Sequence, residues 1–327
     1  MTLANALLVR ELCVDFGVVS LDREWARGIS YIIHTMEMND GKLYIVATPI
    51  GNLGDITQRA LKALEESDVV YAEDTRVTGK LLCAFGITKP LRRLDENTIR
   101  CKADEVIDHV RAGKTVAYCT DAGMPGVSDP GSVLIAAARE ASVPCEILPG
   151  ASAGTLAYVA SGFSCPNHYF GCFFPRKKTE QIQTLDSLAS LNAALIFYES
   201  PHRLLDSLRV IKEMLPQRRV CVCRELTKLH EEVYLGTPEE ALSHFGAMEE
   251  ACGIKGEIVI VIDAAGADEA RSRDDDVLNQ ANELICRLIA DGERVKSAAK
   301  IAASELGIAK NLAYEMALSA KEAQDDA

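Results

Sequence analysis

Residues 121–131, DAGMPGVSDPG, combine the residue types that let a polypeptide backbone approach a bound ligand closely. The segment follows the apolar run VAYC and holds three glycines, two prolines and two aspartates. Glycine permits positive φ and leaves room beside the main chain, and aspartate oxygens accept hydrogen bonds from ribose hydroxyls or an amine. Asp121 ends a predicted buried strand, which favours ligand contact. Asp129 precedes Pro130, which favours a helix-capping role with the proline at the first helical position.

Three more turns of small residues follow apolar runs: TPIGN at 48–52, EDTR at 73–76 and PGASAG at 149–154. In parallel α/β sheets such turns lie at the carboxyl edge, where ligands bind. The chain contains neither the G-x-G of dinucleotide-binding folds nor a Walker sequence, and these turns hold almost no lysine or arginine. A near-neutral, nucleoside-type cofactor is therefore favoured over a strongly anionic one such as ATP or NADP.

Three clusters of charged side chains follow predicted strands in the second half of the chain. FFPRKK ends at Lys178, YESPHR ends at Arg203 and CRELTK ends at Lys228. Because arginine and lysine pair with phosphates, three such clusters suit a polyanion such as RNA. Each cluster by itself could equally be a solvated strand end. If these strand ends face the small-residue turns of the first half, they form a cleft with one cofactor wall and one basic wall.

The elements that must position these turns alternate between strands and helices. Apolar runs such as LYIVAT at 43–48 predict strands buried on both faces, and amphipathic segments between them predict helices. The pattern predicts a first α/β domain at 41–162 with a mostly parallel sheet. It weakens at 162–168 and resumes in a second α/β domain at 168–263. The last three strands there follow one another closely and predict a mixed sheet.

The C-terminal part of the chain has a different pattern. The polar, small-residue stretch at 264–276 predicts a flexible linker. Residues 277–327 contain three amphipathic segments that predict helices, and the turn at Gly307 between the last two is typical of a helix-turn-helix. This module either contacts RNA or serves only for packing, and its periodicity favours neither.

Length and composition are those of an ordinary globular protein of about two domains, with 327 residues, 48% of them apolar and 25% charged. The net charge of −13 lies mainly at the two ends, since residues 41–260 hold 24 basic and 28 acidic side chains. No apolar stretch approaches the ~18 residues of a membrane span, so we expect a soluble, cytoplasmic protein. Eleven scattered cysteines without a C-x-x-C pair predict buried, reduced thiols rather than disulfides or zinc ligands.

Residues 1–40 fit no targeting signal. The run ALLVRELCVDFGVVSL is broken by charged residues, unlike a signal peptide, and six acidic residues argue against a transit peptide. We expect a poorly ordered extension, consistent with a start codon set too far upstream.

Seven motifs occur in order along the chain: LYIVATPIGNLGDIT, AEDTRVTGKLL, DAGMPGVSDPG, PGASA, IFYESPHRLLDSL, RELTKLHEE and KGEIVIVI. Together they resemble the ribosomal RNA small-subunit methyltransferase I branch of the tetrapyrrole methylase superfamily, over about 42–262. The helical tail looks like the small C-terminal helix-turn-helix of that branch.

This resemblance implies a fold and an activity. The fold has two α/β domains of the class III methyltransferase type with S-adenosylmethionine in the cleft between them, and the protein is a homodimer. The activity is methylation of the ribose 2′-hydroxyl of one cytidine in the decoding region of 16S rRNA, in the small ribosomal subunit. The sulfonium is already an activated methyl donor, so no metal is expected.

The motifs also imply site residues. Near the cofactor they place Pro49, Gly51, Asn52, Asp74, Asp121, Ala122, Gly123, Pro149, Gly150, Ala151 and Ser152. The basic clusters give the expected RNA contacts Arg176, Lys177, Lys178, Arg203, Arg224 and Lys228. The candidates for catalysis are Glu199, His202, Arg203, Glu225 and Lys228, and the sequence does not choose the general base among them.

The sequence departs from the family pattern in two places, and two other functions compete. LDENT at 94–98 replaces a histidine-rich stretch, so no role of those histidines transfers, and PGASA replaces the more usual PGPSA. A methylase acting on a tetrapyrrole would share the first domain but would need a broad apolar trough in place of basic clusters. A non-catalytic RNA-binding or assembly protein would use the tail alone, and the cofactor loops argue against it.

Overall fold

The structure is a computed structural model that describes residues 41–325, without the side chains of 267–277 and 323–325. The predicted N-terminal extension, 1–40, lies outside the described residues. The described chain divides into two compact units, and the division falls after Ser152. The strand–helix pattern of the sequence predicts this boundary later, at 162–168. Segment 153–161 is a helix whose contacts are with strands of the second unit, which explains the earlier division.

The first unit is a parallel five-stranded sheet between two layers of helices. The strands are β1 (Leu43–Val46), β2 (Val69–Ala72), β3 (Leu91–Arg93), β4 (Val116–Cys119) and β5 (Cys145–Leu148), in the order β3-β2-β4-β1-β5. The helices are α1 (Gln58–Glu66), α2 (Thr75–Ala84), α3 (Ile99–Arg111) and α4 (Gly131–Glu140). The parallel sheet predicted from the continuous apolar runs is confirmed.

The helices on both faces of this sheet explain why its inner strands β1, β2 and β4 are apolar throughout. One face packs against α1 and α2 through residues such as Leu64 and Leu82. The other packs against α3 and α4 through residues such as Val106 and Leu134. A strand covered on both faces has no position for a solvated side chain, so β2 and β4 are buried at every residue. Side chains of Thr57 and Asp74 accept hydrogen bonds at the starts of α1 and α2 and fix where those helices begin.

The second unit opens with α5 (Ala153–Ser161) and contains a mixed five-stranded sheet. Its other elements are β6 (His168–Phe173), α6 (Lys178–Leu188), β7 (Ala194–Glu199), α7 (Leu204–Met214), β8 (Val220–Arg224), β9 (Glu232–Gly236), α8 (Pro238–Cys252) and β10 (Ile258–Ile262). The strand order is β6-β7-β10-β8-β9, with β6 parallel to β7 and the other pairs antiparallel. The predicted mixed sheet is confirmed.

Three helices complete the described chain: α9 (Ala267–Ala290), α10 (Val295–Leu306) and α11 (Lys310–Asp325). They share a small apolar core that includes Ile285, Ala302 and Ala313. Gly307 takes the left-handed conformation and ends α10, as the sequence predicted. Helical backbone, however, begins at Ala267, inside the stretch 264–276 predicted to be a flexible linker. The composition of that stretch is polar and charged, but it contains no proline and no glycine after Gly266, so nothing in it opposes a helix.

Several elements were missed or misjudged by sequence pattern. The helices α6 and α8 and the short edge strand β3 were not predicted. The apolar stripes of α6 and α8 are weak, and β3 is only three residues long and largely exposed. The prediction that the cysteines are mostly buried is wrong for the described residues: Cys119, Cys221 and Cys223 are buried, but half of the ten described cysteines are exposed.

Candidate ligand site and basic strand ends

The loops after β1 and β4 are joined to each other directly. The amide of Thr48 donates to the carbonyl of Gly123 at 3.0 Å, and the amide of Gly123 donates back to Thr48 at 3.1 Å. The Thr48 hydroxyl donates to the carbonyl of Thr120 at 3.2 Å. These bonds fix two of the predicted ligand loops at one edge of the sheet.

Gly123 is favoured by its backbone conformation and lies where three loops come into contact. Its φ is +83°, and a Cβ there would lie 3.4 Å from Ile50 Cγ2 and 3.5 Å from the carbonyl oxygen of Ala151. The loops after β1, β4 and β5 therefore meet at this residue. Gly150 serves the same junction, because a Cβ there would lie 2.6 Å from the Cβ of Ala47. The glycines expected to make room for a cofactor thus also hold the loops together.

Asp129 closes the loop 121–131 on itself. One carboxylate oxygen accepts hydrogen bonds from the amides of Gly126 and Gly131, both at 2.8 Å. The predicted cap position is wrong by one residue, because Pro130, and not Asp129, directly precedes the first residue of α4. Asp129 nevertheless has a structural role, since it binds the amide of the first helical residue, Gly131. Ser128 takes a positive φ of 65° within this loop.

Acidic side chains gather at the carboxyl ends of β2 and β4. Asp74 accepts from the amide of Arg76 at 2.8 Å and pairs with its guanidinium, which holds the pKa of Asp74 well below its usual range. Asp121 accepts from the amide of Asp74 at 3.0 Å. Burial, and then the neighbouring carboxylates, raise the pKa values of Glu73 and Asp121. A cationic ligand is electrostatically favoured at this edge over an anionic one.

A cavity of about 340 Å³ opens beside these loops within the first unit. It is lined by Thr48, Pro49, Gly51, Leu53, Val77, Thr78, Lys80, Leu81, Thr120 and Asp121. Three of the residues expected near the cofactor, Pro49, Gly51 and Asp121, therefore share one cavity. The contribution of α2 was missed by sequence analysis. The signal that could have found it is VTGKL at 77–81, where Val77, Thr78 and Leu81 recur at helical spacing directly after a strand-end turn.

The other residues expected near the cofactor do not line this cavity. The Asn52 side chain accepts from the amide of Gly54 at 2.9 Å and starts a single 3-10 turn, Leu53–Asp55. Ala122, Pro149 and Gly150 are exposed, and Ala151 and Ser152 are half-buried. The loop after β5 is thus open to a ligand along its length.

In the second unit, Glu199 is a buried structural carboxylate. The residue is 3% exposed. One oxygen accepts from the amide of Ser200 at 2.7 Å and pairs with Arg203 at 2.5 Å, and the other accepts from the hydroxyl of Ser207 at 2.5 Å. Both oxygens of this candidate catalytic residue are therefore engaged inside the protein.

Arg203 connects the turn after β7 to the turn after β6. Besides its ion pair with Glu199, its guanidinium donates to the carbonyls of Phe174 and Pro175 at 3.3 Å. His202, next to it on the 3-10 turn Pro201–Arg203, is exposed. Arg203 therefore positions the two turns that carry His202 and the cluster at 176–178.

The cations at 176–178 differ in how they are paired. Lys177 contacts Glu180 at 3.0 Å, and Lys178 contacts Glu213 at 2.8 Å, both on the surface. Arg176 is exposed. Exposed ion pairs of this kind exchange readily with other anions, because each contributes little free energy.

The loop after β8 has a constrained backbone and paired charges. Glu225 and Thr227 adopt positive φ values of 51° and 68°. The Glu225 carboxylate accepts from Lys228 at 2.8 Å and from the amide of Glu257 at 2.9 Å. Arg224 pairs with Glu232 at 2.9 Å. Side chains in such backbone conformations are held in one place by their surroundings.

The charged groups of this loop stabilise one another in their ionised forms. Burial opposes the charge of Lys228, but hydrogen bonds to Glu225 and Glu257 outweigh it and raise the pKa of the ammonium. Burial likewise opposes ionisation of Glu225, but Lys228 and the amide of Glu257 outweigh it and lower the pKa of that carboxyl. At neutral pH both groups are charged, so Lys228 is a cation and not a base.

Metal-ligand clusters and membrane-spanning helices are both absent from the part of the chain that the structure describes. In that part, no three His, Cys, Asp or Glu side chains are placed to hold a metal ion. None of the helices described there is long and apolar enough to cross a bilayer.

Comparison with known proteins identifies the class of this fold. The family model for tetrapyrrole (corrin/porphyrin) methylases matches residues 42–242. A crystal structure of diphthine synthase superposes with a TM-score of 0.56 at 16% identity, over 71% of this chain and 95% of that one. The X-ray structure of cobalt precorrin-4 methyltransferase, a cobalamin biosynthetic enzyme, gives 0.53 at 19% identity, over 68% and 94%. The fold is that of the class III methyltransferases.

Relatives with higher sequence identity place the chain in one family within this class. A protein of Halalkalibacterium halodurans named ribosomal RNA small subunit methyltransferase I is 40% identical over 84% of this chain and 94% of its own length. Proteins of the same name from Thermotoga maritima and Synechocystis sp. are 44% and 38% identical, over 68% and 85% of this chain and 98% of each relative. The chain therefore belongs to the ribosomal RNA small subunit methyltransferase I family of the tetrapyrrole methylases.

Proposed function

We propose that this protein transfers a methyl group from S-adenosylmethionine to the ribose 2′-oxygen of a cytidine in the decoding region of 16S rRNA. The observation that carries the proposal is the shared name of relatives that are 38–44% identical and matched over nearly their whole length. The first unit's ligand loops and the second unit's basic strand ends support it. The cytoplasm as its place of action and a homodimer as its working form are part of the same proposal.

The residues of the first unit fit the methyl donor. S-adenosylmethionine carries a sulfonium and an ammonium group, and the carboxylates of Glu73, Asp74 and Asp121 at the strand ends favour a cation. The exposed main chain at Ala122, Pro149 and Gly150 leaves room for a nucleoside. When bound, the donor supplies an activated methyl group that needs no metal for its transfer.

In the second unit, we assign three of the candidate catalytic residues to positioning and one to proton transfer. Glu199 and Arg203 hold two turns together, and Glu225 fixes the loop after β8. His202 is exposed beside them. We propose that its imidazole accepts the proton of the 2′-hydroxyl as that group becomes more acidic during attack.

Arg176, Lys177, Lys178, Arg224 and Lys228 form the RNA-binding strand ends of this proposal. Lys177 and Lys178 would exchange exposed carboxylate partners for phosphates, and binding should therefore weaken with salt. Lys228 stays protonated because Glu225 and Glu257 raise its pKa, so it supplies a fixed positive charge.

The test is methyl transfer to defined acceptors. Purified protein, labelled S-adenosylmethionine and 30S subunits that lack this modification should give label in 16S rRNA. The labelled nucleotide should resist alkaline hydrolysis, because a 2′-O-methyl group blocks cleavage at that position. Label on a base would contradict the ribose assignment. Label in a uroporphyrinogen-type acceptor and none in RNA would replace the proposal with a tetrapyrrole methylase.

A further inference from the structure

The cavity beside α2 contains two buried hydroxyl groups without a hydrogen-bond partner among the described residues. Thr78 is 1% exposed and Thr120 is 2% exposed, and the Oγ1 atom of each is unpaired. A threonine inside a helix ordinarily donates to the carbonyl four residues earlier. The Thr78 hydroxyl makes no such bond. Buried polar groups are nearly always paired in native proteins, so two unpaired hydroxyls in one cavity point to a ligand that pairs them.

The rest of the lining restricts what that ligand is. Leu53, Val77 and Leu81 provide apolar walls, and Lys80 and Asp121 provide one charge of each sign. Apolar walls with a few polar hydrogen-bonding groups suit a flat heterocycle that carries donors and acceptors on its edge. The volume of about 340 Å³ falls within the range of small-ligand sites, roughly 300–1,000 Å³.

The cavity lies at one end of the row of loops expected to hold the methyl donor, and it shares the loops after β1 and β4 with that row. In the order β3-β2-β4-β1-β5, strands β4 and β1 are neighbours, with β2 on one side and β5 on the other. The donor is expected along the loops after β4, β1 and β5. The cavity is lined by the ends of β4 and β1 and by α2, which follows β2. It therefore lies on the side away from the loop after β5.

We infer that this cavity receives the base of the acceptor nucleotide, which rests on the proposed function. The hydroxyls of Thr78 and Thr120 each donate to, or accept from, the edge of the base, and Val77 and Leu81 contact its face. Lys80 is exposed and supplies a positive charge for a phosphate of the same strand. A base enters such a cavity only when it is unstacked from its neighbours. The first unit would thus select the acceptor as well as bind the donor.

The test separates acceptor recognition from donor binding. Thr78→Val and Thr120→Val remove one hydroxyl each with little change of shape, and Val77→Trp fills the cavity from a half-exposed position. Thr184→Val, on α6 of the second unit, is the matched control. Affinity for S-adenosylmethionine is measured by calorimetry, kcat/KM is measured with unmodified 30S subunits, and folding is checked by circular dichroism.

We expect each threonine variant to lower kcat/KM for 30S subunits about tenfold, the usual cost of leaving a base edge unpaired. Val77→Trp should lower it at least about a hundredfold. Donor affinity should change less than about twofold in all three, and Thr184→Val should match the wild type. Losing donor affinity in Val77→Trp would assign the cavity to the donor and overturn the inference. An unchanged kcat/KM for 30S subunits in a folded Val77→Trp protein would also overturn the inference. A wild-type protein that labels no rRNA would instead refute the proposed function, and this inference with it.

Discussion

The Glu199 carboxylate is buried and enclosed by its partners in the second unit. Arg203, Ser207 and the amide of Ser200 account for both of its oxygens. A buried ion pair contributes little net stability compared with an apolar pair, but removing one member leaves the other uncompensated. Glu199 is the last residue of β7, so its contacts fix the turn that follows the strand.

Glu199→Gln should destabilise the protein because Arg203 then lacks its counter-charge. We expect a free-energy cost of about 2–3 kcal/mol, or a fall in the thermal midpoint of about 5–10 °C, by scanning calorimetry. Glu180→Gln, which removes an exposed partner of Lys177, should change the midpoint by less than about 2 °C. Equal midpoints for the two variants would mean that Glu199 is free to take part in catalysis after all.

His202→Ala tests the proposed base. The turn that carries it is held by Arg203, so the fold should persist while kcat falls about 10²-fold. Affinity for S-adenosylmethionine should not change. His230→Ala, an exposed histidine in the loop after β8, is the control. A normal kcat in His202→Ala would show that solvent or another group takes the proton.

At the scale of elements, the ligand loops of the first unit depend on contacts between strand ends. The paired bonds of Thr48 and Gly123 join the loops after β1 and β4, and Gly123 and Gly150 allow the loop after β5 to pack against them. Such a junction needs small residues, because a Cβ at Gly150 would collide with the Cβ of Ala47 and because Gly123 has a positive φ. Substituting these glycines therefore changes stability as well as ligand binding.

Gly123→Ala should cost about 1–2 kcal/mol, since φ is +83°, a backbone conformation that alanine rarely adopts. Gly79→Ala is the contrasting variant. It lies inside α2 with φ in the ordinary range, and a Cβ would meet Leu91 Cδ1 at 3.5 Å, an ordinary contact. It should stabilise by up to about 1 kcal/mol. Urea titrations followed by circular dichroism measure both, and the same sign of change in the two would contradict this account.

At the scale of the whole molecule, the helical tail is separable from the rest of the family's architecture. The Thermotoga relative is matched over 98% of its length by 222 residues of this chain. The helices α9, α10 and α11 bury their own apolar residues against one another. That relative therefore has no counterpart to about a third of this chain, and we expect the tail to belong to that part.

Deleting residues 266–327 should leave donor binding intact. We expect the affinity for S-adenosylmethionine to stay within about twofold of the full chain by calorimetry, because the ligand loops all lie in the first unit. Comparing the affinities of both forms for unmodified 30S subunits then decides between the two interpretations of the tail. Loss of donor binding in a folded truncated protein would contradict the separation argued here.

The sequence by itself determined the class of the fold and the location of the ligand loops. Apolar runs such as 43–46 and 116–119 are strands because a strand buried on both faces tolerates no polar position. Motifs such as DAGMPGVSDPG are local, so their residues mark a loop regardless of what packs around them. The family was recognisable for the same reason, since several local motifs occur in a fixed order.

The tertiary structure decided which of the candidate side chains are free and which are held. Glu199, Arg203, Glu225 and Lys228 looked equally available in sequence, but burial and ion pairs engage all four. The cavity of Thr78 and Thr120 also came only from the fold, because these residues are far apart in the chain and meet where α2 packs beside the end of β4. The hydrogen-bond partners of a side chain can come from distant parts of the chain, so no local pattern in the sequence encodes them.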